Sequence, residues 1–214
     1  MISGSMSKMN EATGSGLEEG RDDTGSRLGM WLFLLSEILL FGGLFILYST
    51  YRYKYSMEFH LAAGELNRLF GTLNTLILLT SSLTMATSIS AIQKGQRRLS
   101  AWLVIATIVL GLFFLTNKGI EWGAKIEHGI YPSSSVLLER SKGDMLFFGL
   151  YYVMTGLHGL HVLVGVCVLS VMLILIGRDK INPMRFVALE NSGLYWHLVD
   201  LIWIFLFPLF YLIT

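Results

Sequence analysis

Five long apolar runs constrain this chain more than any other feature. They cover residues 28–51, 69–92, 100–117, 144–176 and 190–213. A spanning helix needs about 20 predominantly apolar residues. Four runs reach that length, and the third continues into GIEWGAKI, which extends its helix beyond the lipid. None shows the two-residue alternation of an outer-membrane barrel. Inside lipid each backbone N–H and C=O must be satisfied within its own segment, so continuous apolar runs form helices. The expected fold is therefore all-α: a polytopic membrane protein, a bundle of five transmembrane helices.

Composition agrees. Charged residues make up 14% of the chain and mean hydropathy is +0.59, whereas soluble domains carry about 25% charged residues. A formal net charge of +1 gives no basis for binding nucleic acid. The single cysteine, Cys167, rules out an internal disulfide or a thiolate metal cage and reads as a small buried filler in a helix.

Residues 1–27 differ from the rest. They are rich in Gly, Ser, Glu and Asp and contain no aromatic residue. Such a segment buries too little apolar surface to offset its ordering entropy, so a disordered tail is expected at 1–27, followed by the bundle at 28–214. It has no short apolar core or cleavage site, so it does not read as a signal peptide. The fourth run, as one helix, would reach about 50 Å. A tilted helix protruding from one face accommodates that length, with a break at a glycine as the other solution. Pro208 inside the fifth run is expected to kink it.

Five spans put the termini on opposite sides. Nine Lys and Arg fall on the N-terminal side and seven on the other. The short loops KGQRR and GRDKINPMR carry the bias, and the positive-inside rule then places the N-terminus inside and Thr214 outside.

Ionisable groups within the runs are the candidate functional residues, since each is costly in hydrocarbon unless paired or protonated. Glu37, in FLLSEILLFGG, is either a proton-active or lipid-contacting acid, or a protonated packing group. Gly42 and Gly43, which follow it, would allow close approach of another helix. Glu37 is expected to face the interior and hydrogen-bond His158 or His161. These histidines, in TGLHGLHVLVG, share a helix face at i, i+3. That spacing suits two ligands on one metal, or two imidazoles bonded to other helices or to lipid. His197 and Asp200 repeat the spacing, and a bond between them would reduce the burial cost of both. As a catalytic dyad they lack an obvious nucleophile; TSSLTMATS in the second run is a possible source, though Ser and Thr on a membrane helix more often bond backbone or a neighbouring helix. Asn74 and Asn67 are candidate bridges between helices. Glu121, Glu127 and His128 flank the third run and are expected to face water. No Walker, GxSxG or HExxH motif occurs, and no catalytic apparatus is expected.

RLGMWLFLLSEILLFGGLF, LNTLILLTSSLTM, TGLHGLHVLVG and YWHLVDLIWIFLFPLFY resemble, in that order, four helices of the subunit III family of haem–copper respiratory oxidases. The paired-histidine and C-terminal motifs are the most specific, and residues 1–27 lie outside the likeness. The resemblance implies a subunit without haem or copper of its own that packs beside catalytic subunit I, with subunit II or other respiratory-complex subunits nearby. It implies phospholipid held between helices, support of proton uptake into subunit I, and protection of that subunit during turnover. Glu37 falls on the family's buried glutamate, His158 and His161 on its paired histidines, and His197 on the histidine of its last helix. In the family these groups link helices and seat lipid. The long form of the family has seven helices; five suggest a bacterial member of a cytochrome c or quinol oxidase, in the inner membrane. A subunit of a nitric oxide reductase or alternative complex III is a close variant. A small proton-coupled transporter using Glu37 is the reading from another class.

Overall fold

The computed structural model describes residues 3–212, with side chains from residue 23 onward. Seven α-helices and a terminal π-helical turn follow one another: α1 (Ser3–Lys54), α2 (Ser56–Gly64), α3 (Arg68–Gln93), α4 (Arg97–Glu127), α5 (Ser135–Leu138), α6 (Lys142–Gly177), α7 (Val187–Phe207) and the turn Pro208–Leu212. No strand occurs among the described residues; one isolated bridge joins Asn182 and Arg185. Five helical segments are long and apolar enough to cross a membrane: Asp23–Lys54, Arg68–Gln93, Arg97–Glu127, Lys142–Gly177 and Val187–Leu212. The expected five-span, all-α architecture is the observed one.

Local chemistry sets the helix ends. Asn67 caps α3, its Oδ1 accepting from the N–H groups of Leu69 and Phe70. Asn67 therefore ties its own helix instead of bridging to another, because a short side-chain carbonyl before a helix finds free N–H groups at once. Ser141 caps α6 in the same way, accepting from Asp144 N–H. Gly95 ends α3 with φ of 74°, and the N–H of Gln96 returns to Ala91 O at 2.9 Å. That left-handed residue closes the carbonyls of the last turn and lets α4 begin two residues later.

The fourth run is one unbroken helix of 36 residues, about 54 Å long, with no break at its glycines. Pro208 marks the change from α to π at the end of the last span, the local irregularity expected of a proline there. α1 starts upstream of the boundary expected at residue 28. The disorder expected of residues 1–27 falls largely on side chains outside the described ones.

The chain divides into two units, Met1–Ile38 and Leu39–Thr214, and the packing that follows belongs to the second. There α3 packs on α4, α4 on α6, α6 on α7 and α7 back on α3, which closes a ring of four helices. α2 covers one end, against α6 and the π-turn. Trp196 of α7 sits near the centre, fully buried. A Cβ on Gly111 of α4 would lie 2.7 Å from its ring, and one on Gly165 of α6 would lie 2.8 Å away. Two glycines, one on each of two neighbouring helices, thus make room for the indole, and its Nε1 donates to Ser81 Oγ of α3 at 3.0 Å. One side chain joins all four helices.

Two expectations are corrected by this packing. Among the described residues nothing lies within 4 Å of a Cβ on Gly42 or Gly43, so no other described helix of the chain packs closely on them. Cys167 is exposed on α6 because it falls on the face opposite the buried His158, Val162, Gly165 and Leu169.

Candidate functional site

Polar contacts recur at intervals through the mainly apolar interior of the ring. α3 and α4 run antiparallel, and three hydrogen-bonded rungs join them at successive levels. Ser88 Oγ meets Ser100 Oγ at 3.2 Å, Thr84 Oγ1 meets Thr107 Oγ1 at 2.8 Å, and Asn117 Nδ2 donates to Asn74 Oδ1 at 3.2 Å. Asn74 therefore bridges helices as expected. Trp203 of α7 adds a rung, Nε1 donating to Thr75 Oγ1 at 3.1 Å. Small hydroxyls and amides at these levels hold the helices together where burial between apolar surfaces supplies no driving force.

At one end of the ring lies the largest cluster of charged and phenolic groups. Lys118 and Glu121 of α4 are both buried, Nζ to Oε2 at 2.8 Å. Lys118 also donates to the hydroxyls of Tyr151 on α6, at 3.0 Å, and Tyr211 in the π-turn, at 2.5 Å. Tyr151 donates to Glu121 Oε1 at 3.0 Å, and the Tyr211 hydroxyl lies 2.7 and 2.9 Å from the two carboxylate oxygens. Nζ further lies 5.2 Å from the centre of the Trp203 ring, within cation–π range. Every lone pair facing inward is answered, the condition under which a buried ion pair is tolerated. The expectation that Glu121 faces water is thus overturned; Glu127 and His128 do remain exposed. The residues 104, 107, 111, 114, 118, 121 and 125 are all buried on α4, a spacing of three and four. Extending that stripe past the apolar run would have found Lys118, Glu121 and Lys125. A cavity of about 320 Å³ beside the cluster is lined by Glu65, Asn67, Glu121, Lys125 and His128 among others.

The paired histidines diverge. His158 is wholly buried, and neither ring nitrogen has a hydrogen-bond partner. It packs edge-on to Phe114 at 5.6 Å and tilted to Trp203 at 5.2 Å. His161 Nδ1 approaches Leu157 O of its own helix at 2.7 Å, and its ring meets Phe41 edge-on at 5.4 Å. Spacing of i, i+3 places both on one side of α6, but the aromatic neighbours of each take them into separate environments. Among the described residues no group of three or more His, Cys, Asp or Glu is arranged to hold a metal. Glu37 is half-buried on α1, in the first unit.

His197 and Asp200 do not pair with each other. His197 Nδ1 lies 2.6 Å from Ser82 Oγ of α3, an interhelical tie from the very segment TSSLTMATS. Asp200 is buried, with no hydrogen bond of good geometry to either oxygen and the Ser82 hydroxyl as its polar neighbour. A serine bonded to imidazole, with a carboxyl that does not touch that imidazole, lacks the orienting third member of a nucleophilic triad.

The cytochrome c oxidase subunit III family model matches residues 5–214. This chain belongs to the cytochrome c oxidase subunit III family. It is 34% identical over 193 residues to the cytochrome c oxidase subunit 3 of Thermostichus vulcanus, and 32% identical over 192 residues to that of Corynebacterium diphtheriae, with 87% of each chain covered in both cases. It is also 27% identical over 198 residues to the heme-copper oxidase subunit I+III of Aeropyrum pernix, covering 87% of this chain and 22% of that one. As a subunit III family member it is a multi-pass membrane protein and a partner of other oxidase subunits. The ring interior described above is the interior of that subunit.

Proposed function

We propose that the chain is the accessory, non-catalytic subunit III of a bacterial haem–copper terminal oxidase, working in aerobic respiratory electron transport. Its main contact is subunit I, with subunit II or other subunits of the complex alongside. It supports proton uptake into subunit I, protects it during turnover and holds phospholipid. Haem and copper reside in the partner subunits. The relatives named cytochrome c oxidase favour cytochrome c over quinol as donor to the complex.

One observation carries the choice of partner. The Aeropyrum pernix relative bears the name subunit I+III on a single chain, of which this chain matches 22%. Two subunits carried on one chain act side by side, and that supports subunit I as the neighbour of this one. In this role Asn74 and His197 tie helices by hydrogen bonds, His158 packs between helices against Phe114 and Trp203, and Glu37, His161 and Asp200 are the further candidates for interhelical and lipid contact. The redox chemistry needs none of them. The N-terminus is cytoplasmic. Of the seven basic residues counted on the opposite side, Lys118 and Lys125 are buried within α4, leaving five against nine, and that supports this orientation.

The test is purification in mild detergent with identification of every copurifying chain and a visible spectrum. Haem-bearing chains should accompany the protein, and the isolated subunit should show no Soret band. Proton flux by the chain alone in vesicles, abolished by Glu37→Gln, would instead establish a transporter.

A further inference from the structure

The end of the ring opposite the Lys118 cluster carries a basic groove that the functions above leave unassigned. It lies where α4 begins and α6 ends. Arg97 clamps the two helices: Nε donates to Ile176 O at 2.6 Å, one terminal nitrogen to Gly177 O at 2.7 Å, and the other pairs with Asp179 Oδ1 at 2.7 Å. With each of its three nitrogens already engaged, Arg97 shapes the groove.

The groove encloses about 750 Å³ and is lined by Gly95, Gln96, Arg98, Leu99, Ala101 and Ile176, along with Arg97 and Gly177. Its lining is chiefly apolar, and Leu99 and Trp102 are exposed where the span begins. Around it the two loops carry Lys94, Arg98, Arg178 and Lys180, all exposed and, among the described residues, without an acidic partner. The one acid between residues 93 and 98 or 177 and 186 is Asp179, already held by Arg97. Four unpaired cations thus crowd an apolar trough at the boundary of a membrane span.

We propose that this groove seats the headgroup of an acidic phospholipid, its phosphate at Arg98 and Lys94 and its acyl chain along Leu99. Charge complementarity selects the occupant. A zwitterionic lipid brings its own amine toward Arg98 and cancels the attraction, whereas a phosphate without a balancing amine keeps it. A free anion has no use for the apolar wall. The inference refines the lipid-holding role proposed above and does not depend on the identity of the partner complex.

The experiment is native mass spectrometry of the full chain released from nanodiscs of equal parts phosphatidylglycerol and phosphatidylcholine. Retained phosphatidylglycerol should exceed phosphatidylcholine by about five-fold or more, as expected of one basic residue at a lipid surface. Arg98→Gln combined with Lys94→Gln should bring that ratio near one while the thermal midpoint holds. Asp179→Asn frees Arg97 and should raise the ratio. Equal retention by the native chain, or a ratio indifferent to all three changes, overturns the groove; if total bound lipid is then undiminished, the broader lipid-holding role survives, and if no lipid is retained at all, that role falls with it.

Discussion

Lys118 and Glu121 meet across one turn of α4, Nζ to Oε2 at 2.8 Å, with 6% and 5% of their side chains exposed. Two opposite charges this deep in a membrane protein are tolerable only together. The phenols of Tyr151 and Tyr211 complete the shell from α6 and from the π-turn. The pair therefore fastens the end of the last span to α4 and α6 at that end of the ring.

Removing one charge should cost far more than removing both. Lys118→Met or Glu121→Gln leaves a buried ion without its counter-charge, a loss of about 3–5 kcal/mol. Lys118→Met combined with Glu121→Gln should be milder than either single change. Thermal unfolding in detergent across the four proteins measures the coupling; additive losses would mean that the two groups act independently.

The Trp196 seat should reject added volume. Gly111→Ala puts a methyl 2.7 Å from the indole and should destabilise by about 1–3 kcal/mol through overpacking. Gly42→Ala, with nothing within 4 Å, should leave the midpoint unchanged or slightly raised. The same unfolding assay compares them.

Asp200 should behave opposite to Glu121. Its oxygens have no hydrogen bond of good geometry to lose, so Asp200→Asn should be neutral or stabilising. Ser82→Ala, which removes the 2.6 Å contact to His197 Nδ1, should cost about 1 kcal/mol. A strong loss of stability on Asp200→Asn would reveal a partner for the carboxyl.

Arg97→Lys should loosen the loop after α6 without unfolding the protein. An ammonium cannot reproduce a planar fork that reaches two carbonyls and a carboxylate at once. Amide exchange at residues 177–182 should speed up in the variant, while exchange in α3 and α7 stays as it was.

Much of this molecule is legible before any coordinates. The runs at 28–51, 69–92, 100–117, 144–176 and 190–213 each become a spanning helix because lipid leaves the backbone no other way to satisfy itself. Asn74 was legible as a bridge because a buried amide needs a partner wherever it points. Asn67 was not, because a cap and a bridge use the same side chain and only the position of the first helical turn separates them. Glu121 was misplaced because hydropathy falls after Asn117, although the buried stripe 104, 107, 111, 114 continues unbroken through 118, 121 and 125.

Sequence alone determined the number of spans, the all-α class and the family, because all three rest on local composition and on motifs of contiguous residues. Only the tertiary structure decided who meets whom: His197 with Ser82 rather than Asp200, His158 among the rings of Phe114 and Trp203, Lys118 and Glu121 inside rather than out. Partners of that kind lie dozens of residues apart in the chain. Helical spacing says which face a side chain occupies, but the closure of α3, α4, α6 and α7 into a ring chooses which face lies opposite.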